Sequence, residues 1–167
     1  MTTSPLLIEA AKRLPMPALQ AIAQATLIRV LASHPDLAGQ LGAHSTKRFA
    51  FVVSELDLAF KVDPSKHRMT VSRINGLPRT GMKAAHATAT GSLAALMALL
   101  EGRTGGDLSP GSPELAICGD RAAMVALRDA LRSDPVELPR EFGRSLGPLA
   151  PLAERLGPAL RRRLMSV

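Results

Sequence analysis

The tightest constraint on what this chain can fold into lies between Lys83 and Arg132. KAAHATATGSLAALMALLEG followed by ELAICGDRAAMVALRDALR reads as strand, apolar helix, Gly-rich loop, short strand and second helix. Thr90, Gly91 and Ser92 open the first helix and Gly102 closes it. Asp120 has the chemistry of an N-cap for the second helix, directly after a strand, Leu115 to Cys118, that looks buried. From Leu93 to Leu100 the first helix offers no polar side chain. A helix that is apolar all round has to be covered on every side, by protein or by a ligand.

Upstream the period is different. Phe49, Phe51 and Val53 alternate with Ala50 and Val52, and Leu58, Phe60 and Val62 with Ala59 and Lys61. Asp63-Pro64-Ser65-Lys66 is a turn, and Met69, Val71 and Arg73 alternate with Thr70, Ser72 and Ile74. Asn75-Gly76 and Pro78 make a second turn before a fourth strand near Met82 to Thr88. These strands read as an antiparallel meander. With Leu115 to Cys118 as a fifth, the expected class is α+β, a five-stranded, mainly antiparallel sheet with helices on one side.

The two ends are helical in pattern. Residues 5–32 read as two helices broken at Pro15 and Pro17, with Pro17 suited to a first helical turn. His34-Pro35-Asp36 ends the second, and a short helical turn runs on to Gly42. The expected organisation is one compact domain: a helical extension over 1–46, a core over 47–133, and a tail over 134–167 whose helical pieces are broken by Pro and Gly. A chain of 167 residues holds one good core but not two.

Composition narrows the chemistry. With four Phe, no Trp and no Tyr, the core is built from Leu, Ala, Val, Ile and seven Met, side chains that adapt to irregular apolar shapes. The net charge of +7 is uneven, with eight basic against three acidic residues over 47–90 and four against seven over 91–138. That split suits one face to anionic surfaces. Nucleic acid is excluded as a partner by the lack of stacking Tyr or Trp and of a reading helix. A single cysteine forbids an internal disulfide. No signal-peptide pattern begins the chain, and no apolar run reaches the roughly 18 residues of a bilayer span. A cytoplasmic protein, peripheral at most on the inner face of a membrane, is expected.

Catalytic constellations are missing from the pattern. His34, His44, His67 and His86 lack metal-ligand spacing, and no metal or cofactor is expected. Gly91-Ser92 is not a nucleophile elbow, and Cys118 sits in an apolar strand where a thiol packs. His86, between Ala85 and Ala87, reads as a satisfied or edge histidine. Asp107 belongs to a turn. Gly102, Gly105 and Gly106 follow a helix instead of opening one, and they lack the Lys-Ser/Thr of a phosphate loop.

Three motifs carry a resemblance. Gly91 to Asp107 is similar to a GxxxxLxxLLEGRxxGD block, Leu115 to Asp120 to an L-x-I-x-GD block, and Leu127 to Leu131 to the helix end that follows it. The chain thereby resembles the sterol carrier protein family, and within it the UbiT group of bacterial accessory factors in ubiquinone biosynthesis. The likeness runs over roughly residues 15–135, including LPMPALQ near the amino terminus. It departs at Asp107 to Leu115, where DLSPGSPEL replaces the aromatic segment with a basic residue usual in that group. The resemblance implies the same α+β fold and a non-catalytic lipid carrier, which holds an isoprenoid or other apolar lipid between sheet and helices and presents it to partner enzymes.

The expected ligand is a prenylphenol or quinone precursor, a fatty acid or a phospholipid, and the expected enzyme partners are ubiquinone-pathway hydroxylases. Strand alternation and helix spacing nominate Phe51, Val53, Phe60, Val71, Leu96, Met97, Leu100, Ile117 and Leu127 as the apolar lining, positions equally suited to solid core. Lys47, Arg48, Arg161, Arg162 and Arg163 are the candidate contacts to anionic headgroups or a partner, worth about 1 kcal/mol each near a membrane surface. Two other readings remain open: an interaction module of the same fold with a filled core, and a small lipid-modifying enzyme using His86 or Cys118.

Overall fold

The computed structural model describes residues 14–74, 84–101 and 115–133. Helix α1 runs from Met16 to Ser33. Pro17 occupies its first turn, and the Pro15 carbonyl accepts from the Ala18 and Leu19 amides, so the proline-rich start costs no helical hydrogen bond. Leu19, Ile22, Ala23, Thr26, Leu27 and Val30 form its buried stripe. Thr26 satisfies its hydroxyl on the Ile22 carbonyl at 2.9 Å. The helix ends at His34-Pro35, and a short helix α2, Leu37–Gln40, follows. The upstream helix expected before Pro15 lies outside the described residues.

Five strands make one sheet: β1 Phe49–Val53, β2 Leu58–Asp63, β3 Arg68–Arg73, β4 Ala87–Gly91 and β5 Leu115–Gly119, in the spatial order β3-β2-β1-β4-β5. β1 with β2, β2 with β3, and β4 with β5 pair antiparallel. The sheet is mixed because β4 runs parallel to β1. The class is therefore the expected α+β, but the four-strand antiparallel meander is corrected. β4 leaves β3 and crosses to the far side of β1, a move that parallel pairing requires of any connection. It also begins later than expected, so that Thr90 and Gly91 end a strand instead of opening a helix. The Asn75-Gly76 turn lies outside the described residues.

Turn chemistry fixes the β2–β3 hairpin. Asp63 Oδ1 accepts from Ser65 Oγ at 2.7 Å and from the Lys66 amide at 3.2 Å, closing a 3-10 turn over Pro64–Lys66. Partial burial pushes the Asp63 carboxyl up. The Ser65 and Lys66 hydrogen bonds, with the Lys66 and Arg48 charges, outweigh that and hold it below its ordinary value.

Helices α3, Leu93–Leu100, and α4, Arg121–Ser133, pack on the sheet. Ser92 caps α3 by accepting from the Ala95 amide at 3.1 Å, and Glu55 in the β1–β2 turn accepts from the Leu93 amide at 2.7 Å. Asp120 caps α4 as expected, accepting from the Ala123 amide at 3.0 Å. α3 contacts β1 and β4, and α4 contacts β4. On that face β4 presents only Ala87, Ala89 and Gly91, so both helices come in close.

Gly119 closes β5 with φ +86°, and a Cβ there would run into the His86 carbonyl oxygen. The His86 carbonyl instead accepts from the Asp120 amide at 2.8 Å, tying the start of β4 to the start of α4. The Gly-Asp pair of the L-x-I-x-GD block is thus a backbone requirement followed by a cap.

Candidate functional site

Register places the apolar candidates on one face of the sheet. Val71 pairs with Phe60, Phe60 with Phe51, Phe51 with Ala89, and Ala89 with Ile117, a cross-strand row over all five strands. Burial along the row is uneven. Phe51 and Ala89 are sealed at its centre, whereas Phe60, Val71 and Ile117 toward the edges are partly exposed.

The nine sequence candidates divide accordingly. Phe51, Val53, Leu96 and Leu127 belong to the buried core cluster. Phe60, Val71, Leu100 and Ile117 pack against that cluster while keeping some access to solvent, and Met97 is also partly exposed. Five further positions that the sequence reading did not nominate join the partly buried set: Leu14, Met16 and Leu31 at α1, Val62 on β2, and Leu93 on α3. Val62 had a signal, since it shares the alternation of Leu58 and Phe60. The α1 residues had none, because nothing in a helical period says which strand the helix lies along.

The geometry that results is an apolar strip. α1 lies along β3, α3 lies over β1 and β4, and β2 runs between them with Phe60 and Val62 half-covered. Met16 and Leu31 on α1, and Leu93 and Leu100 on α3, pack against the same core cluster and stay partly buried. α3 contributes its own apolar surface: Leu96 and Leu99 are buried, Leu93, Met97 and Leu100 half-buried, and Ala94 exposed. The helix that had to be covered all round is therefore covered only in part by described protein.

The polar candidates gather at the end of the sheet where β1 and β4 start. Lys47 Nζ lies 3.3 Å from Asp120 Oδ2, both side chains about one-third exposed (34% and 28%), a pairing of modest energetic value. The Ala123 amide first, and then Lys47 with its hydrogen bond and charge, hold the Asp120 carboxyl below its ordinary value. Arg48 is half-buried beside Asp63, whose carboxyl feels its charge. Arg161, Arg162 and Arg163 lie outside the described residues.

His86 sits just before β4, with Nδ1 accepting from the Arg48 amide at 2.9 Å. An imidazole that accepts at Nδ1 is neutral and carries its proton on Nε2, so Nδ1 is already engaged by the backbone. Cys118 is exposed, which corrects the buried strand expected there: on β5, Ala116 and Cys118 point away from the helices and only Leu115 is buried. Among the described residues no three His, Cys, Asp or Glu side chains come together as metal ligands. Among them, too, no helix is long and apolar enough to cross a membrane.

Comparison with known proteins adds three findings. The family model described as "SCP-2 sterol transfer family" matches residues 27–132. No curated protein matches the sequence. A solved structure titled "UbiJ-SCP2 Ubiquinone synthesis protein" aligns over 81% of this chain and 99% of its own, at 19% identity and a TM-score of 0.42.

Proposed function

We propose that this chain, which belongs to the SCP-2 sterol transfer family, is a non-catalytic carrier that binds an apolar lipid along the half-covered strip beside α3. One observation supports the reading above the others. A set of apolar side chains, Phe60, Val62, Val71 and Leu100 among them, packs against a sealed core yet keeps access to solvent. Apolar surface removed from water is worth about 25 cal/mol per Å², so each ~100 Å² of a lipid tail laid on the strip contributes about 2.5 kcal/mol without any directional chemistry. Met97 and the leucines around it repack cheaply around tails of different shape. Phe51, Val53, Leu96 and Leu127 belong to the buried cluster against which the strip packs, and Ile117 extends the strip toward β5.

The finer reading rests on the motif likeness of Gly91 to Asp107 and Leu115 to Asp120 to the UbiT group. On that basis the ligand is an isoprenoid-tailed prenylphenol or quinone precursor, presented to ring-modifying hydroxylases. Arg48 and Arg161–Arg163, with Lys47 where Asp120 releases it, are the proposed contacts to an anionic membrane surface. The alternative of a small enzyme using His86 is disfavoured by the engagement of its Nδ1 with the Arg48 amide.

The test is direct. Protein purified from a bacterial host is extracted with organic solvent and the extract examined by mass spectrometry. A near-stoichiometric prenylphenol, fatty acid or phospholipid supports the carrier and identifies its ligand class. An empty extract, repeated after incubation with prenylphenols and phospholipid vesicles, favours an interaction module with a filled core.

A further inference from the structure

The contact between α1 and the sheet is made by two side chains that behave like a strand. β3 is an edge strand, so alternate residues turn their N–H and C=O groups outward, away from β2. Those outward groups belong to Met69 and Val71, and the carbonyl of His67, in the turn just before the strand, comes next in line. Gln20 Oε1 accepts from the Val71 amide at 2.8 Å while Gln20 Nε2 donates to the Met69 carbonyl at 2.6 Å. One turn on, Gln24 Oε1 accepts from the Met69 amide at 2.8 Å and Gln24 Nε2 donates to the His67 carbonyl at 2.8 Å. Each carboxamide presents one acceptor and one donor in a plane, as a peptide group does, and the two together meet three outward groups of β3 and the His67 carbonyl just before it.

The spacing explains why glutamines four apart can do this. Four residues of helix rise about 6 Å, and two residues of strand advance about 6.7 Å, so one helical step matches one rung of a β-ladder. A glutamine is long enough to reach the edge from a helix whose leucines are packed into the core. Arg73 adds a third fastening where β3 ends, donating from Nη2 to the Leu14 carbonyl at 3.2 Å.

We infer that Gln20 and Gln24 form a built-in edge guard, occupying in cis the place where another strand would add. An unguarded edge of this kind is a template for pairing with a further chain. With the guard removed, the occupant is a second copy of the same protein. β3 meets β3 antiparallel across a two-fold axis, because identical edges are self-complementary only in that arrangement. The inference is independent of any lipid, since it uses only the helix and the backbone of β3.

The full chain is compared with Gln20→Met/Gln24→Met, a substitution that keeps length and helix propensity while removing both donors and both acceptors. Two readouts are needed: amide hydrogen exchange at dilute protein, and molar mass by light scattering over a concentration series. Thr70, whose amide turns inward to β2, is the internal control. The expected result is exchange at Met69 and Val71 faster by roughly ten-fold or more with Thr70 unchanged, and a mass that rises with concentration above that of the wild-type chain. Unchanged protection at Met69 and Val71 would overturn the inference. So would lost protection in a protein whose mass follows the wild type at every concentration. If the double variant does not fold, Gln24→Met alone removes one rung. Met69 must then lose protection while Val71, still held by Gln20, keeps it; equal behaviour of the two amides rejects the ladder.

Discussion

Two groups of apolar side chains share the helix-covered face of this sheet and differ in what lies over them. Phe49, Leu58, Leu99 and Met124 are each less than 2% exposed, at the centre of the cluster that joins β1 and β2 to α3 and α4. Phe60, Val62, Val71 and Leu100 touch the same cluster from its rim and stay partly open. The strand members of both groups arise from the same alternation, and Phe60 is two residues from Leu58. A two-residue period sorts faces of a sheet but does not say which part of a face a helix will cover. The difference between core and candidate site is made by where α1, α3 and α4 settle.

Substitutions can break or sharpen that contrast, and the largest effect belongs to the sealed group. Leu99→Ala or Met124→Ala should cost about 2–5 kcal/mol in denaturant unfolding, because a cavity opens where the structure cannot collapse. A loss below about 1 kcal/mol at both positions would mean the centre is not sealed. Gly119→Ala comes next. It forces a Cβ at φ +86° toward the His86 carbonyl, and such strained positions cost on the order of 1–3 kcal/mol, readable as a lowered Tm.

A matched pair then tests the contrast itself. Val53→Thr buries a hydroxyl at a position 3% exposed and should lose about 1–3 kcal/mol. Val71→Thr, at the rim, should stay within about 0.5 kcal/mol of the parent while weakening lipid binding. Equal stability losses would erase the distinction between core and rim.

The smallest expected effect is electrostatic. Asp120 has its carboxyl held low by the Ala123 amide and by Lys47, so its contribution is complete above the unfolded-state value of about 4 and fades as pH falls through the lower folded value. The stability gap between the wild type and Asp120→Asn should therefore be present at neutral pH and shrink under acid. A gap that widened on acidification would reverse the assignment.

Much of the fold was legible in the sequence. The strands of the first three segments, the Pro17 start, the Ser92 region and the Asp120 cap all follow from local rules of period and capping. The parallel partner of β4 was not legible, since strand order depends on a crossover that no local pattern records. For the same reason Cys118 was placed inside: a run of Leu, Ala, Ile and Cys looks buried on both faces, yet β5 is an edge strand and the face bearing Ala116 and Cys118 is open. The candidate lining was half legible. Alternation found Phe60 and Val71 but could not separate them from Phe51 and Val53. Nor could it foresee Met16 and Leu31, because α1 meets β3 through Gln20 and Gln24, whose contacts with a strand edge some 45 residues away leave no mark in a helical period.

The account turns on whether the rim, and not the sealed core, meets an apolar ligand. Methyl-detected NMR during titration with a prenylphenol or a fatty acid reads both groups at once. Saturable shifts at Val62, Val71, Leu100 and Ile117, with Leu58 and Leu99 largely unmoved, are the predicted result. Titrations that leave the rim methyls unshifted, or that move sealed and rim methyls alike, would contradict it.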